Sequence, residues 1–379
     1  MTKRGLLKGQ IVFCGYYGRQ NAGDDAFCAV ASWGAQHYWN VTNVRFLCRH
    51  TPKLPGPGKP LLLRRSVFPG QGFLEAGLHA ARGSTVVFAG GSIFGRSIPL
   101  LNRRRVMGWA HRAGRIELGA IGVSVGPYKH LSARRSLEKF LRRFSFLALR
   151  DRRSFEEACS MNLPFQPIQS SDLALLFPKV YGEIVPESSL EESRPVLGVN
   201  VCHYERYVGG ETRNEQRRES LVLDTLRKVA TAVPITIRLF VLNGNPHLGD
   251  AQLANLFAES LSNCARIEIV PYSDSPGATW RKVGQCDAFL GIRLHSGIFS
   301  FAARVPFLLV EYHRKCTDFL DDIGWPGKWR IGDFQVSADE AAEILTHMVT
   351  LREKSSVLDL EPFVAKAERN FTAVRKTSF

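Results

Sequence analysis

Short apolar runs alternate with longer stretches in which apolar residues recur at helical spacing through most of the chain. This is the pattern of an α/β protein built on parallel sheets. Strands are predicted over 10–16, 44–48, 84–91, 116–125 and 145–149. Helices fall between them, from Asp24 or Asp25 to about Trp39 and over 73–82, 99–112, 133–143 and 153–160. The stretch 178–195 carries Pro178, Pro186 and the acidic pair Glu191-Glu192, and reads as a linker. A second α/β half then opens at 196–201, with strands 235–242, 266–270, 288–292 and 307–311, helices 216–232, 248–261 and 278–284, and terminal helices 338–351 and 362–369. The expected organisation is an N-terminal α/β domain over 1–180, a linker over 181–195, a C-terminal α/β domain over 196–335 and a helical segment over 336–379. Two similar halves of this kind imply domains facing across a cleft, where ligands are commonly held.

The length of 379 residues and 45% hydrophobic content suit two domains with ample cores. The net charge of +15 adds an attraction to polyanions such as nucleic acid, an anionic membrane face or phosphorylated metabolites, without choosing among them. Basic residues cluster at Arg103–Arg105, Arg134-Arg135, Arg142-Arg143, Arg150–Arg153 and Arg217-Arg218, mostly on predicted helices whose solvated faces account for many of them. The eight cysteines show no C-x-x-C pair and no metal-ligand spacing, and read as buried thiols of a reducing compartment. No apolar stretch approaches the ~20 residues of a membrane span, and the basic start lacks a signal-peptide core. The expectation is a cytoplasmic protein, with room for peripheral contact at the inner membrane face and no specific nucleic-acid partner.

The strongest candidate for chemistry is the stretch 287–300, where an apolar strand breaks at Arg293 and His295. Ser296 is expected to cap a short helix through Arg304, and the strand signal restarts at Pro306. Ligands in open α/β sheets collect beyond the carboxyl ends of strands, where a helix N-terminus offers free N–H groups to an anion. On an extended chain Arg293 and His295 would face the same side, with Leu294 turned into the core. Other strand ends carry small or charged residues. Gly15-Tyr16-Tyr17-Gly18 with Asn21, Gly23, Asp24 and Asp25 follows the first strand, where Asn21 and Asp24 could equally serve a turn and an N-cap. Gly90-Gly91, 122–127, Arg150-Asp151, Asp172 and the segment Glu311–Lys315 complete the set. Arg150 could hold an anion bidentately, or pair with Asp151 or Asp172 and fix loops.

Taken together, these stretches resemble the polysaccharide pyruvyl transferase family. The resemblance rests on Gly15–Gly18, Asn21-x-Gly23-Asp24-Asp25, Gly90-Gly91, 122–127, Arg150-Asp151 with Ser154, Asp172-x-Ala174 and 291–296, spread over most of the chain. Asp25 stands where Glu is common in the family and Ser92 where a third glycine often occurs. The resemblance implies two Rossmann-like domains of the glycosyltransferase-B-like kind, and transfer of pyruvate from phosphoenolpyruvate to two saccharide hydroxyls as a ketal. It casts His295 as the catalytic residue and Arg150, Arg293, Gly90, Gly91 and Ser296 as donor-binding. Tyr17, Asn21, Asp24, Asp25, Asp172 and Lys315 are expected to bind the acceptor or organise loops. Neither metal nor cofactor is implied, and the acceptor, free, polymeric or lipid-linked, stays open. Two other readings compete: a nucleotide-sugar glycosyltransferase in which Glu311 binds a ribose, and a catalytically silent saccharide- or polyanion-binding protein.

Overall fold

The computed structural model describes residues 9–62, 68, 70–95, 103–184, 194–332, 336–351 and 359–376. Two compact units emerge. The first comprises residues 1–19, 24–176 and 361–379, and the second residues 20–23 and 177–360. Most of the expected linker, and the start of the helix expected from Pro99, lie outside the described residues.

The first unit holds a parallel seven-stranded sheet: β1 (Ile11–Cys14), β2 (Val44–Phe46), β3 (Lys59–Pro60), β4 (Thr85–Phe94), β5 (Glu117–Val125), β6 (Phe146–Leu149) and β7 (Ile168–Gln169). Their spatial order is β3-β2-β1-β4-β5-β6-β7. The central strands are apolar on both faces because helices cover both sides of the sheet, as parallel strands require. β4 runs three residues beyond the predicted end, through Gly90 and Gly91, whose φ angles of 74° and 86° only glycine adopts without strain. A Cβ on Gly90 would collide with the Phe27 ring, so this glycine also lets helix Ala22–Trp39 pack onto the strand.

The second unit repeats the plan with β8 (Val196–Asn200), β9 (Thr236–Phe240), β10 (Arg266–Val270), β11 (Ala288–Gly291), β12 (Phe307–Glu311) and β13 (Ile331–Gly332), ordered β10-β9-β8-β11-β12-β13. Counted within each unit, both sheets contain the 3-2-1-4-5-6 order of the Rossmann fold. Strand order therefore reverses between β1 and β4 in one unit and between β8 and β11 in the other. Leu197, Val199, Leu239, Leu290 and Leu308, with Leu226 and Leu345 from covering helices, form one buried core.

Two expectations about organisation change. The C-terminal segment 336–379 divides: helix Ala338–Leu351 packs on helix Thr212–Ala232 in the second unit, whereas helix Glu361–Lys376 belongs to the first. The reason is a buried polar anchor, since Asn370 accepts from the Gly122 amide at 2.7 Å and donates to the Ser171 carbonyl at 2.9 Å. The second change concerns Arg217-Arg218, read as part of a solvated basic face. Arg218 is 1% exposed and forks against both oxygens of Glu205 at 2.8 and 3.0 Å, with its guanidinium 5.0 Å from the Tyr312 ring centroid. All eight cysteines are free thiols, but Cys159 is exposed and Cys264 only half-buried, so the expectation of uniformly buried thiols holds for six.

Candidate active site

The β11 to helix Leu294–Ala302 junction lies where the strand order of the second unit reverses, between β8 and β11. The helix begins two residues before the predicted cap. Arg293 is its N-cap, with φ −67° and ψ 135°, and Ser296 is already inside the first turn, its hydroxyl donating to the Arg293 carbonyl. Gly291 makes this early start possible, since a Cβ there would collide with Ser296 Oγ. Arg293 and His295 are thus an N-cap and a first-turn residue, not alternate positions of an extended strand.

Arg293 is held rigidly. Its Nε and Nη2 bond to the Asp250 carboxylate at 2.5–2.9 Å, and its amide donates to Asn200 Oδ1 at 3.1 Å. Asp250 is fully buried and also accepts from Asn200 Nδ2 and from the amides of Leu242 and Asn243. Burial alone would lower the Arg293 pKa, but the Asp250 charge outweighs it and holds the guanidinium firmly protonated. These bonds use Nε and Nη2, so a ligand would meet the Nη1 edge of the fork. Sequence reading missed both partners. Asn200 ends β8, a recognisable position, but Asp250 stands 43 residues from Arg293 and nothing local signals the pairing.

His295 is half-buried, with its ring centroid 5.9 Å from that of Phe299, one turn along the helix. It packs directly against Gly23, where any Cβ would run into the imidazole. The segment 20–23 is fixed in the second unit by the Ala22 amide on the Leu242 carbonyl at 2.8 Å, the Gly244 amide on Gln20 and a bridge between Asn21 and Asn243. Asn21 Oδ1 in turn accepts from the Gly23 amide at 3.0 Å. Asn21 and His295 are therefore brought to one place in the second unit.

The remaining candidates, Lys315 apart, group at strand ends of the first unit. Tyr17 is buried and donates to the Ala89 carbonyl at 2.6 Å, tying the end of β1 to that of β4 beside Gly90 and Gly91. Asp24 and the buried Asp25 occupy the first turn of helix Ala22–Trp39, and a side chain on Gly91 would reach 4.0 Å from Asp24 Oδ1. Arg150 resolves toward the loop-fixing alternative: Nε bonds Ser124 at 2.7 Å, Nη1 bonds Asp172 at 2.9 Å and Nη2 bonds Ser92 at 3.0 Å. One guanidinium thus joins β4, β5, β6 and the segment after β7. Asp151 caps helix Arg152–Cys159 through the Ser154 amide and accepts from Ser124.

Lys315 places its ammonium 5.6 Å from the Tyr312 ring centroid and 6.0 Å from that of Tyr204. The same helix start is capped by His313, whose Nδ1 accepts from the Lys315 amide at 3.1 Å. Burial, then the Lys315 and Arg314 charges, push the His313 pKa down to about 4. The folded state therefore binds this proton less readily than the unfolded chain, whose histidine titrates near 6.5. Stability from this group is full above about 6.5 and is lost as pH falls toward about 4. His313→Asn keeps a side-chain acceptor at the cap, so its unfolding free energy should fall less steeply with pH across that window while staying within about 1 kcal/mol of wild type at pH 7.5. Urea titrations at pH 7.5, 6, 5 and 4 check this; parallel curves would refute the linkage.

Glu311, the ribose ligand of the nucleotide-sugar reading, has both carboxylate oxygens occupied by Arg330 at 2.6 and 2.8 Å. The fold also gathers a group with metal-ligand character that sequence spacing did not announce. His203, Glu215 and Glu219 have ligand atoms within 4.8 Å of one another. They already have partners, since His203 Nδ1 lies 2.7 Å from Glu219 while Arg206 Nε and the Tyr204 amide each bond Glu215 at 2.6 Å.

A model of the polysaccharide pyruvyl transferase family matches residues 21–314, from Asn21 through the β11 junction to Arg314. The chain belongs to this family. It is accordingly a member of a transferase family of polysaccharide biosynthesis. No curated protein sequence matches it significantly. Among solved structures it is similar to the UDP-GlcNAc 2-epimerase of Neisseria meningitidis bound to UDP-GlcNAc, with TM-score 0.57, 10% identity and 97% of each chain covered. It is also similar to Anabaena Alr3699/HepE in complex with UDP and glucose, with TM-score 0.54, 13% identity and coverage of 98% of this chain and 95% of the other. The epimerase of Methanocaldococcus jannaschii gives TM-score 0.54 and 11% identity over 95% and 97% of the two chains. These likenesses bear out the fold class of two Rossmann-like α/β domains.

Proposed function

We propose that this pyruvyl transferase family member moves pyruvate from phosphoenolpyruvate onto two hydroxyls of a cell-surface saccharide or its precursor as a ketal, releasing phosphate. The observation that carries the reading is the family match running through the β11 junction, where Arg293 and His295 stand at a strand end and helix start. Phosphoenolpyruvate bears close to three negative charges, and a held guanidinium beside helical N–H groups suits its carboxylate or phosphate. In the reaction one hydroxyl adds to C2 of the enol phosphate while C3 takes a proton and becomes a methyl group. The C2–O bond to phosphate then breaks, and the second hydroxyl attacks C2 and closes the ring. Of the two hydroxyl protons, one balances the new C–H bond and the other leaves with phosphate. An imidazole can both take up and give back a proton, which points to His295 as the proton shuttle.

Arg150 has a different weight here. With three polar partners already in place it holds the ends of β4, β5 and β6 in register, and a donor contact would have to replace Ser92.

The test combines phosphoenolpyruvate with a panel of nucleotide sugars and saccharide acceptors. Phosphoenolpyruvate at millimolar concentration should raise the melting temperature. Phosphate should appear together with an acid-labile pyruvate increment in the saccharide mass. A hexose increment without a pyruvate one would replace this reading with nucleotide-sugar glycosyl transfer; saccharide binding without turnover of any donor would favour the silent binding protein.

A further inference from the structure

The first unit carries a polar concavity, of about 410 Å³, between helices Arg103–Arg112 and Leu131–Leu141. Arg104 and Arg105 line one wall, and Arg135, Lys139 and Arg143 the other, with no carboxylate among the lining residues. The hydroxyls of Ser132 and Ser136 complete the polar lining, Ser132 in the first turn of its helix where unpaired N–H groups favour an anion. Neighbouring bases behave differently. Arg134, one residue away, is neutralised by Glu157 at 2.7 Å and Glu138 at 3.6 Å. Arg135, Lys139 and Arg143 form no ion pair among the described residues.

The packing concentrates this charge. Gly108 leaves room for the Arg143 guanidinium to lie across the facing helix, since a Cβ there would meet Arg143 Nη1. Burial and the nearby Arg112 charge lower the Arg143 pKa, so an anion placed here would relieve a like-charge strain. Two large apolar side chains stand beside the charges: Trp109 is 60% exposed and Leu131 is 73% exposed. Trp109 lies one helical turn from Arg105, and Leu131 one turn from Arg135, so each shares a face with a lining base. A soluble phosphorylated metabolite has no use for exposed apolar flanks. A lipid interface, where phosphates and the upper acyl chains meet, uses both.

We propose that this concavity docks the protein on anionic phospholipid surfaces, taking headgroup phosphates among Arg135, Lys139 and Arg143 while Trp109 and Leu131 enter the interface. The contact is peripheral in kind: among the described residues no helix is long and apolar enough to cross a membrane. It does not depend on the donor reading and is tested by binding alone.

The experiment is co-sedimentation of the full chain with phosphatidylglycerol-containing vesicles and with pure phosphatidylcholine vesicles. The wild type should prefer the anionic vesicles at least tenfold. Arg135→Glu with Lys139→Glu reverses two exposed charges and should weaken that binding by about thirtyfold or more, each basic residue near the surface contributing about 1 kcal/mol of attraction. A matched reversal in the second unit, Arg213→Glu with Lys282→Glu, should change it less than threefold. Equal losses in the two double variants would mean that bulk charge alone acts, and would overturn the proposal. Brominated acyl chains should quench fluorescence in the wild type more than in Trp109→Phe, and equal quenching would also overturn it. Displacement by low-millimolar pyrophosphate with Trp109→Ala binding like wild type would assign the pocket to soluble phosphates. Tighter binding to a single-stranded oligonucleotide than to vesicles would assign it to nucleic acid.

Discussion

His295→Ala should lower pyruvyl turnover by about 100-fold or more while leaving phosphoenolpyruvate affinity within about tenfold, because a proton shuttle acts mainly in the transition state. The structure adds a second variant that tests the same residue without touching it. Gly23 lies against the imidazole, and alanine there would push its methyl group into the ring. The backbone cannot retreat cheaply, because Ala22 is bonded to Leu242, Gln20 to Gly244 and Gly23 to Asn21. The ring must therefore move, and a displacement near 1 Å at a reacting group can cost about 100-fold in rate. Gly72→Ala is the control, since nothing lies within 4 Å of a Cβ there and alanine suits the first turn of helix Gln71–Arg82. Single-turnover rates and calorimetric donor binding decide the matter. Near wild-type turnover in His295→Ala sinks the catalytic assignment; near wild-type turnover in Gly23→Ala alone sinks the positioning argument.

What the sequence made legible is what local pattern controls. β11 and its neighbours are continuous apolar runs, so their places and parallel pairing could be read directly, and both Rossmann-like halves follow from strands alternating with helices. Helix starts were less legible. Ser296 is a good capping residue, yet the chain caps at Arg293 because Gly291 leaves space for the serine to fold back inside the first turn. Long-range polar pairing was invisible: Arg218 resembled its exposed neighbour in a basic run, and only the fold brings Glu205 to it. The same holds for the terminal helix, whose attachment to the first unit rests on Asn370 finding Gly122 and Ser171 about two hundred residues or more away. In the candidate site the sequence identified His295 and Arg293 but not Asp250 and Asn200, which set how the arginine is presented.

Asp250 is accordingly where the largest loss of stability is expected. Its carboxylate is fully buried and accepts from Arg293, Asn200 and two backbone amides, so Asp250→Ala strands a guanidinium and three further donors at once. Breaking a buried ion pair by removing one partner costs about 3–5 kcal/mol. The lower end applies here, because the Arg293 side chain is 20% exposed and water can reach part of it. Asp250→Asn removes the charge but keeps one oxygen acceptor, and should cost less than the alanine variant. Removing both charges, as Asp250→Asn with Arg293→Met, should recover part of the loss, since the unpaired cation is then gone while the amides of Leu242 and Asn243 keep an acceptor. Urea unfolding of the three variants measures the series. A full cost under about 1 kcal/mol for Asp250→Ala would show that the pair is not what holds Arg293. A double variant less stable than Asp250→Ala would show that the arginine stabilises the fold through contacts other than its ion pair.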